Sequence, residues 1–171
     1  MSPPLFGVAG WKNSGKTTLM VGLIGELNKR GYSVSVIKHA HSSFDIDHPG
    51  RDSFKMRGAG ACQILLSSPK RFALMRELEN APELAFGDLL AYVGSCDLVL
   101  VEGFKREALP KIEIRRNGAA AREPLYGAVP GIVAIASDRP KDETDPLPVF
   151  QLDDISGIVD FIVGRLGLEK A

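Results

Sequence analysis

The segment Gly10-Trp11-Lys12-Asn13-Ser14-Gly15-Lys16-Thr17 decides the fold, because it matches the phosphate-binding pattern G-x-x-x-x-G-K-[ST]. A short apolar run at 5–9 precedes it and is suited to a buried strand. An amphipathic stretch at 18–31 follows and is typical of a helix. This order aims backbone N–H groups and the positive end of the helix dipole at one anionic ligand. The segment therefore predicts a site for a nucleoside triphosphate, although so short a pattern also arises by chance.

The composition is that of an ordinary globular protein, with 171 residues, 44% apolar residues and 25% charged residues. We expect one nucleotide-binding domain spanning 1–171. The formal net charge is zero, which argues against a nucleic-acid-binding protein held by bulk charge. The sequence shows neither a signal-peptide pattern nor an apolar run long enough to span a bilayer, so we expect a cytoplasmic protein. Cys62 and Cys96 match no C-x-x-C pattern and are predicted to be buried free thiols.

Strands and helices are predicted to alternate along the chain, which favours an α/β fold of the P-loop NTPase type. We expect a mostly parallel sheet with helices on both faces. The first two strands and the helix between them form a βαβ unit, which favours parallel pairing of those strands. The segment 111–116 alternates with period two, as expected of an edge or half-exposed strand. Further strands are predicted at 33–38, 63–67, 72–75, 97–101, 131–136 and 148–151, and further helices at 52–61, 86–93 and 155–166.

Ligands of an open α/β sheet bind beyond the carboxyl ends of its strands, and this rule selects the chemistry-bearing residues. Glu102 ends the most apolar strand and resembles the acid of a Walker B element, although it also fits a solvent-facing acid at a strand end. Asp97 begins the same strand and is expected at the opposite end. Lys16 is predicted to reach the terminal phosphates and Thr17 to bind Mg²⁺ through its hydroxyl group.

The candidate residues fall into three overlapping sets. The catalytic candidates are Lys16 and Glu102, and the metal candidates are Thr17 and Glu102. The candidates for binding the nucleotide are Gly10, Lys12, Asn13, Ser14, Gly15, Lys16, Thr17, Thr18, Asp52 and Asp138.

The polar segment 38–52 is too long for a simple connection and has the composition of a switch or substrate loop. Its aspartates, Asp45, Asp47 and Asp52, are either ligands of a metal or water, or residues that cap the loop. Lys38, Arg51 and Lys55 are candidate phosphate partners. His39, His41 and His48 suggest a zinc site, but the sequence has no nearby cysteine or helical H-E-x-x-H to support one, and loop histidines are the simpler interpretation.

Asp138 follows a buried strand, where its carboxylate would accept hydrogen bonds from N1 and N2 of guanine. The usual guanine-reading motif has Asn-Lys just before this aspartate, whereas the chain has Ile135 and Ala136, and Asp138 fits a turn residue equally well. A basic segment follows Glu102 and is interpreted either as a rim for a second anionic substrate or as a solvated face. Its members are Lys105, Arg106, Lys111, Arg115 and Arg116.

Six short motifs occur in a fixed order along the chain. They are Asn13-Ser14-Gly15-Lys16-Thr17-Thr18-Leu19, Lys38-His39-Ala40-His41, Phe44-Asp45-Ile46-Asp47, Gly50-Arg51-Asp52-Ser53, Ala59-Gly60-Ala61 and Val101-Glu102-Gly103-Phe104-Lys105. Together they resemble the MobB family, the molybdopterin-guanine dinucleotide biosynthesis adaptor proteins. The resemblance covers nearly the whole chain and is more specific than the phosphate loop alone.

The resemblance implies a homodimer that binds GTP and Mg²⁺ with at most slow hydrolysis. It also implies a partner, the guanylyltransferase MobA, which attaches GMP to molybdopterin, and contact with molybdopterin or its carrier enzymes. Many relatives in the wider P-loop group carry a second lysine at the position of Trp11, which puts activation across a dimer in doubt. The alternative function is a small-molecule kinase or ATP-dependent ligase, motivated by the basic segment after Glu102.

Overall fold

A computed structural model describes residues 3–40, 44–117, 123–139 and 145–169 of the chain. The chain divides into two compact units, which are described separately below. The larger unit contains Met1–His39 and Phe86–Ala171, and the smaller unit contains Ala40–Ala85. A single nucleotide-binding domain over 1–171 stays a prediction.

Eight strands and four helices make up the described chain, and they alternate strictly only as far as the third strand. They are β1 (Leu5–Gly10), α1 (Lys16–Lys29), β2 (Val34–Lys38), α2 (Asp52–Gly58), β3 (Gln63–Ser68), β4 (Arg71–Arg76), α3 (Phe86–Leu90), β5 (Leu98–Glu102), β6 (Lys111–Arg115), β7 (Ile132–Ser137), β8 (Val149–Gln151) and α4 (Ile155–Leu166).

The larger unit is built on a six-stranded sheet in the order β2-β5-β1-β6-β7-β8, and all of its strand pairs are parallel. The predicted α/β class is therefore confirmed. The first two strands are parallel as predicted, but β5 lies between them, so direct pairing of β1 with β2 is wrong. All five residues of β5 are buried, whereas β2 exposes Val36 and Lys38. The apolar strand therefore takes the interior place and the mixed strand takes the edge.

Each face of this sheet is covered by a separate apolar cluster. On one face, α1 and α4 pack their leucines and isoleucines against β1, β5, β6 and β7, with Phe6, Leu23 and Ile158 fully buried. On the other face, Val99 and Val101 pack with residues of α3 and of the turns beside it. The predicted coverage of both faces is confirmed. Because the strands are parallel, their carboxyl ends lie together at one edge of the sheet.

β6 lies between β1 and β7, so the prediction of an edge or half-exposed strand is wrong. Its charged residues are buried and satisfied instead of exposed, because Lys111 and Glu113 both have partners inside the fold. The Lys111 ammonium donates to the carbonyls of Glu107, Leu109 (3.2 Å) and Pro130 (2.9 Å). Burial nevertheless lowers the pKa of Lys111, since removing the charged form from water is unfavourable.

The smaller unit contains α2 and an antiparallel hairpin of β3 and β4, which are therefore not strands of the main sheet. Only two residues separate the strands, and the Ser68 hydroxyl accepts a hydrogen bond from the Arg71 N–H at 3.0 Å across that turn. So short a connection permits antiparallel but not parallel pairing.

Neither cysteine is buried as predicted, since Cys62 is exposed and Cys96 is half-buried, although both are free thiols. Each lies beside a strand rather than within one, so its apolar sequence context does not place it in the core. Across the described ranges, the structure has no helix with the length and apolar character that crossing a membrane requires.

Candidate functional site

The loop between β1 and α1 has the backbone shape that an anion site requires. Gly15, at the N-terminus of α1, has φ 92°, and Asn13 has φ 63°, both in the left-handed region. No side chain of the described residues caps the first turn of α1. A Cβ at Gly10 would lie 2.5 Å from Oγ of Ser14, so a side chain at position 10 would displace the Ser14 hydroxyl. The first N–H groups of α1 therefore remain available to a ligand.

The loop borders a cavity of about 390 Å³, a size suited to a small charged ligand. Ser14 is buried, and its Oγ has no hydrogen-bond partner among the described residues, as expected for a polar group that a ligand satisfies. The lining residues are Lys12, Asn13, Gly15, Lys16, Thr17 and Glu102. The structure thus brings five of the ten predicted nucleotide residues, all from the phosphate loop and the start of α1, to the lining of one cavity.

Lys16 lies across the loop, with Nζ donating to the carbonyls of Gly10 at 3.3 Å and Trp11 at 2.8 Å. Its pKa is lowered, chiefly because burial disfavours the charged form. The Glu102 carboxylate opposes this shift, whereas the positive charges of Lys105 and Lys38 add to it. An anion bound in the cavity would restore the ordinary preference for the charged form.

Glu102 ends β5 at the cavity, and only 11% of its side chain is exposed. Its Oε2 lies 3.3 Å from Nζ of Lys38, the register partner at the end of β2. Asp97 lies at the other end of the strand, where it accepts hydrogen bonds from the N–H and hydroxyl of Ser33. Glu102 therefore lies at the cavity and Asp97 lies at the opposite end of β5, as expected from the length of the strand. The role of Glu102 stays a prediction.

The oxygen atoms at the cavity suit Mg²⁺ better than a transition metal. Thr17 and Glu102 supply a hydroxyl and a carboxylate, and Mg²⁺ usually combines one or two such groups with water and phosphate oxygens. Among the described residues, no group of three or more histidines, cysteines and acids is placed to hold a metal ion. The donor set therefore fits Mg²⁺ held together with a nucleotide.

The turn after Glu102 carries Lys105 back towards the phosphate loop. Gly103 and Phe104 have φ values of 92° and 45°, which turn the chain sharply. The Phe104 ring lies between the rings of His39 and Phe86, at centroid distances of 5.0 and 4.9 Å. Nζ of Lys105 lies 4.5 Å from the centroid of the Trp11 ring. This geometry joins the Glu102 turn to the loop by a cation–π contact.

The predicted basic rim is only partly present. Lys111 is buried near the far end of β6, and Arg115 forms ion pairs with Glu113 at 3.0 Å and Asp145 at 3.2 Å. Arg116 lies beside the phosphate loop, where a Cβ at Gly15 would lie 3.1 Å from its Nη2. Arg106 is exposed on the turn after Glu102. Of the five cations, Arg116 and Lys105 are thus the two that reach the loop.

Asp138 follows β7 at the same sheet edge and is exposed. Its Oδ1 accepts a hydrogen bond from the N–H of Asn117 at 2.7 Å, and this bond links the ends of β6 and β7. The geometry fits the turn interpretation directly. Recognition of guanine by Asp138 stays a prediction.

The aspartates of the polar segment lie in the smaller unit, where Arg57 forms ion pairs with Asp45 and Asp47. Its guanidinium lies 2.6 Å from Asp45 and 3.7 Å from Asp47, and the hydrogen bond from Arg57 lowers the pKa of Asp45. Asp52 begins α2 with 87% of its side chain exposed, 3.6 Å from Lys55. The ionic contacts within this unit support capping and ion pairing for Asp45 and Asp47.

The histidines of that segment do not come together in the described chain. His39 belongs to the larger unit and packs on Phe104. His48 is exposed in the smaller unit, and so is Arg51, whereas His41 lies outside the described residues.

Two residues beside the site carry roles that the sequence did not reveal. Glu113 is buried and accepts hydrogen bonds from the N–H groups of Leu125 at 2.7 Å and Tyr126 at 3.1 Å. Trp11 donates from Nε1 to the carbonyl of Glu123 at 3.1 Å. Together they fix the segment that packs beside the phosphate loop. Glu113 shares its strand face with Lys111 and Arg115, so the alternating pattern pointed to solvent and gave no signal of this role.

Comparison with known proteins identifies the family. A family profile described as "Molybdopterin guanine dinucleotide synthesis protein B" (MobB) matches residues 5–138. The molybdopterin-guanine dinucleotide biosynthesis adapter protein of Escherichia coli K12 is 39% identical over 162 residues, which cover 94% of this chain and 91% of that protein. Its counterpart in Haemophilus influenzae is 40% identical, over 93% of this chain and 87% of its own.

Solved structures show the same fold. A MobB homologue from Bacillus stearothermophilus superposes with a TM-score of 0.71 at 24% identity, covering 96% of this chain and 99% of that one. MobB of Bacillus subtilis gives a TM-score of 0.72 at 23% identity, covering 95% and 98%. The chain therefore belongs to the MobB family and has an adapter role in molybdopterin-guanine dinucleotide biosynthesis.

Proposed function

We propose that this chain is a GTP-binding adapter that assists the attachment of GMP to molybdopterin and hydrolyses GTP slowly at most. The observation that carries the proposal is the cavity in which Lys16, Thr17 and Glu102 meet the uncapped start of α1. The family assignment supplies the biosynthetic context. Neither the loop alone nor the family alone names both the ligand and the purpose.

Different residues at the cavity would contact different parts of the nucleotide. N–H groups of the loop and the first turn of α1, from Gly10 through Thr18, would hold the phosphates, and the buried Ser14 hydroxyl would gain a partner. Lys16 would exchange its two carbonyl contacts for the terminal phosphates. Mg²⁺, when bound, would neutralise phosphate charge, held by Thr17 and Glu102.

Slow turnover is consistent with the surroundings of Glu102. A carboxylate that orients water must face that water, whereas Oε2 of Glu102 is engaged by Lys38 at 3.3 Å. The position after Gly10 is occupied by Trp11, which packs against an apolar cluster and does not supply a further cation. Both observations favour a protein that binds GTP over one that consumes it rapidly.

Selection of guanine would fall to Asp138, which is exposed at the sheet edge and uses Oδ1 for the hydrogen bond with Asn117. A site built to accept the N1 and N2 protons of guanine rejects adenine, because adenine leaves the carboxylate without donors. Asp52 remains a nucleotide-binding candidate through its place in the polar segment, and Lys55 is its ion-pair partner there at 3.6 Å.

A homodimer is supported by one face of the hairpin in the smaller unit. Leu65 and Phe72 lie on that face with 59% and 65% of their surfaces exposed, while Ile64 on the opposite face is buried. An isolated hairpin of two strands is marginally stable, and a second copy of the chain would cover these side chains. The further proposed partners are MobA and molybdopterin or its carrier enzymes, in the cytoplasm.

The decisive experiment compares the affinities of GTP and ATP for the purified protein, with and without Mg²⁺ and MobA. We expect GTP to bind more tightly than ATP, with a dependence on Mg²⁺ and a further gain when MobA is present. Equal affinity for both nucleotides, or binding of neither, would exclude the proposed function. A sedimentation measurement with Leu65→Ser tests the dimer in the same preparations.

The kinase or ligase alternative loses its motivation in the structure. It depends on a continuous basic rim for an anionic acceptor, but Lys111 is buried and Arg115 is neutralised by Glu113 and Asp145. No observation in the described chain favours transfer to an acceptor over binding, so no second function is proposed.

A further inference from the structure

The contact between Lys105 and Trp11 joins two segments that border the cavity. Trp11 is the second residue of the phosphate loop, and Lys105 follows Glu102 by three positions. Nζ of Lys105 lies over the indole face at 4.5 Å from its centroid, within the range of a cation–π interaction. The indole therefore sets where this ammonium group lies.

Both partners of this contact are held in place by other residues. The Trp11 Nε1 donates to the Glu123 carbonyl at 3.1 Å, and its ring packs against the cluster around Leu125. On the other side, Phe104 turns the chain in a left-handed conformation, and its carbonyl accepts the N–H of Glu107 at 3.1 Å. Lys105 thus extends from a fixed turn onto a fixed ring.

The charge of Lys105 lies outside the ion pairs of the described residues. It is half-buried and forms no ion pair with any residue in the described ranges of the chain. Its charge is close enough to act on Lys16, a second cation that is itself partly desolvated. Two neighbouring cations beside the positive end of a helix repel each other, and an anion between them would remove that cost.

We propose that Lys105 is a further phosphate-binding residue, that it recognises the terminal phosphate of a nucleoside triphosphate, and that Trp11 positions it. Lys16 is the residue that reaches the outer phosphates, so a cation on the same side lies nearer to the terminal phosphate than to the inner ones. The inference rests on the proposed GTP site and adds to it a preference for triphosphate over diphosphate.

The test compares Mg–GTP and Mg–GDP affinities by calorimetry in the wild type, Lys105→Met and Lys105→Arg. Lys29→Met is the matched control, because Lys29 lies at the far end of α1 with 80% of its side chain exposed. We expect Lys105→Met to weaken GTP binding about tenfold or more while leaving GDP binding nearly unchanged. Lys105→Arg and Lys29→Met should keep the GTP preference. A wild-type GTP-to-GDP ratio in Lys105→Met would overturn the inference and leave the proposed function standing.

The single tryptophan of the chain supplies a second readout. Mg–GTP should change the emission of Trp11 in the wild type and in Lys29→Met, but not in Lys105→Met. Trp11→Phe keeps a weaker aromatic face, so its GTP preference should fall between those of the wild type and Lys105→Met. A preference equal to the wild type in Trp11→Phe would remove the positioning role of Trp11.

If the wild type binds no GTP, the proposed function fails and inorganic tripolyphosphate becomes the probe. Weaker tripolyphosphate binding by Lys105→Met than by Lys29→Met would then still support a phosphate role for Lys105. Equal binding by the two variants would exclude it.

Discussion

Nζ of Lys38 lies 3.3 Å from Oε2 of Glu102, where two register partners end the neighbouring strands β2 and β5. The two side chains differ in exposure, at 52% for Lys38 and 11% for Glu102. The cation can move into water, whereas the carboxylate cannot. Glu102 therefore holds a counter-ion that another cation can replace, as a metal site near phosphate requires.

Glu102→Gln should leave GTP affinity mostly intact and weaken Mg²⁺-dependent turnover, because the amide keeps the shape of the side chain but loses its charge. Single-turnover hydrolysis at several Mg²⁺ concentrations measures this effect. Lys38→Met is the companion variant, since it removes the competing cation and should lower the Mg²⁺ concentration at half-saturation. Turnover at the parental rate in Glu102→Gln would remove Glu102 from the catalytic candidates.

Lys16→Ala should abolish or strongly weaken triphosphate binding, through loss of a charge-assisted contact of roughly 1.5–3 kcal/mol. Equilibrium binding of GTP measures the loss, and the exposed Lys29→Ala is the control for charge alone. Unchanged GTP affinity in Lys16→Ala would mean that the loop is not the nucleotide site.

Arg116→Ala should weaken GTP and GDP by similar factors. Its guanidinium lies beside Gly15 at the start of α1, where the inner phosphates would be held. The same calorimetric pair of titrations measures the effect, with exposed Arg165→Ala near the end of α4 as the control. Selective loss of GTP binding alone would place Arg116 near the terminal phosphate instead.

The sequence predicted the phosphate loop, the fold class and the position of Glu102, because each depends on local pattern and strand direction. It failed where charges are buried by distant partners. Lys111 and Glu113 have the sequence pattern of the solvent-facing side of an edge strand. In the structure, Lys111 instead donates to the carbonyls of Glu107, Leu109 and Pro130. Glu113 accepts hydrogen bonds from the N–H groups of Leu125 and Tyr126.

Strand order was likewise not predictable from the first βαβ unit. The choice of neighbour for β1 depends on β5, a wholly buried strand that begins only at Leu98. The Trp11–Lys105 contact joins segments that are equally remote in sequence, so no local pattern reveals it.

Glu113→Ala should destabilise the fold by about 3–5 kcal/mol, because it leaves Arg115 with one fewer partner and removes the acceptor of one buried and one partly buried N–H group. Urea unfolding measures the change in the free energy of unfolding. The control is Glu26→Ala on the surface of α1, where the loss should be much smaller. A similar loss in both variants would contradict the anchoring role of Glu113.

The stability of the protein should rise with pH in the alkaline range through Lys111. Burial lowers the pKa of Lys111 in the folded chain, so between that value and the ordinary lysine pKa the unfolded chain binds more protons. The contribution of Lys111 to the free energy of unfolding therefore increases across this window and is lowest below it.

Urea unfolding at several pH values, compared between the wild type and Lys111→Met, isolates this contribution. The variant lacks the titrating group, so its alkaline rise should be smaller than that of the wild type. Identical pH slopes would show that the buried ammonium does not titrate in this range.

The uneven placement of charge at the cavity has a consequence for the rate of encounter with ligand. Five cationic side chains, Lys12, Lys16, Lys38, Lys105 and Arg116, lie at or beside one sheet edge near the two carboxylates of Glu102 and Asp138. Since the formal net charge of the whole chain is zero, the remaining residues together carry a net negative formal charge. The local excess of positive charge at the cavity attracts an approaching polyanion, so association should slow as ionic strength rises.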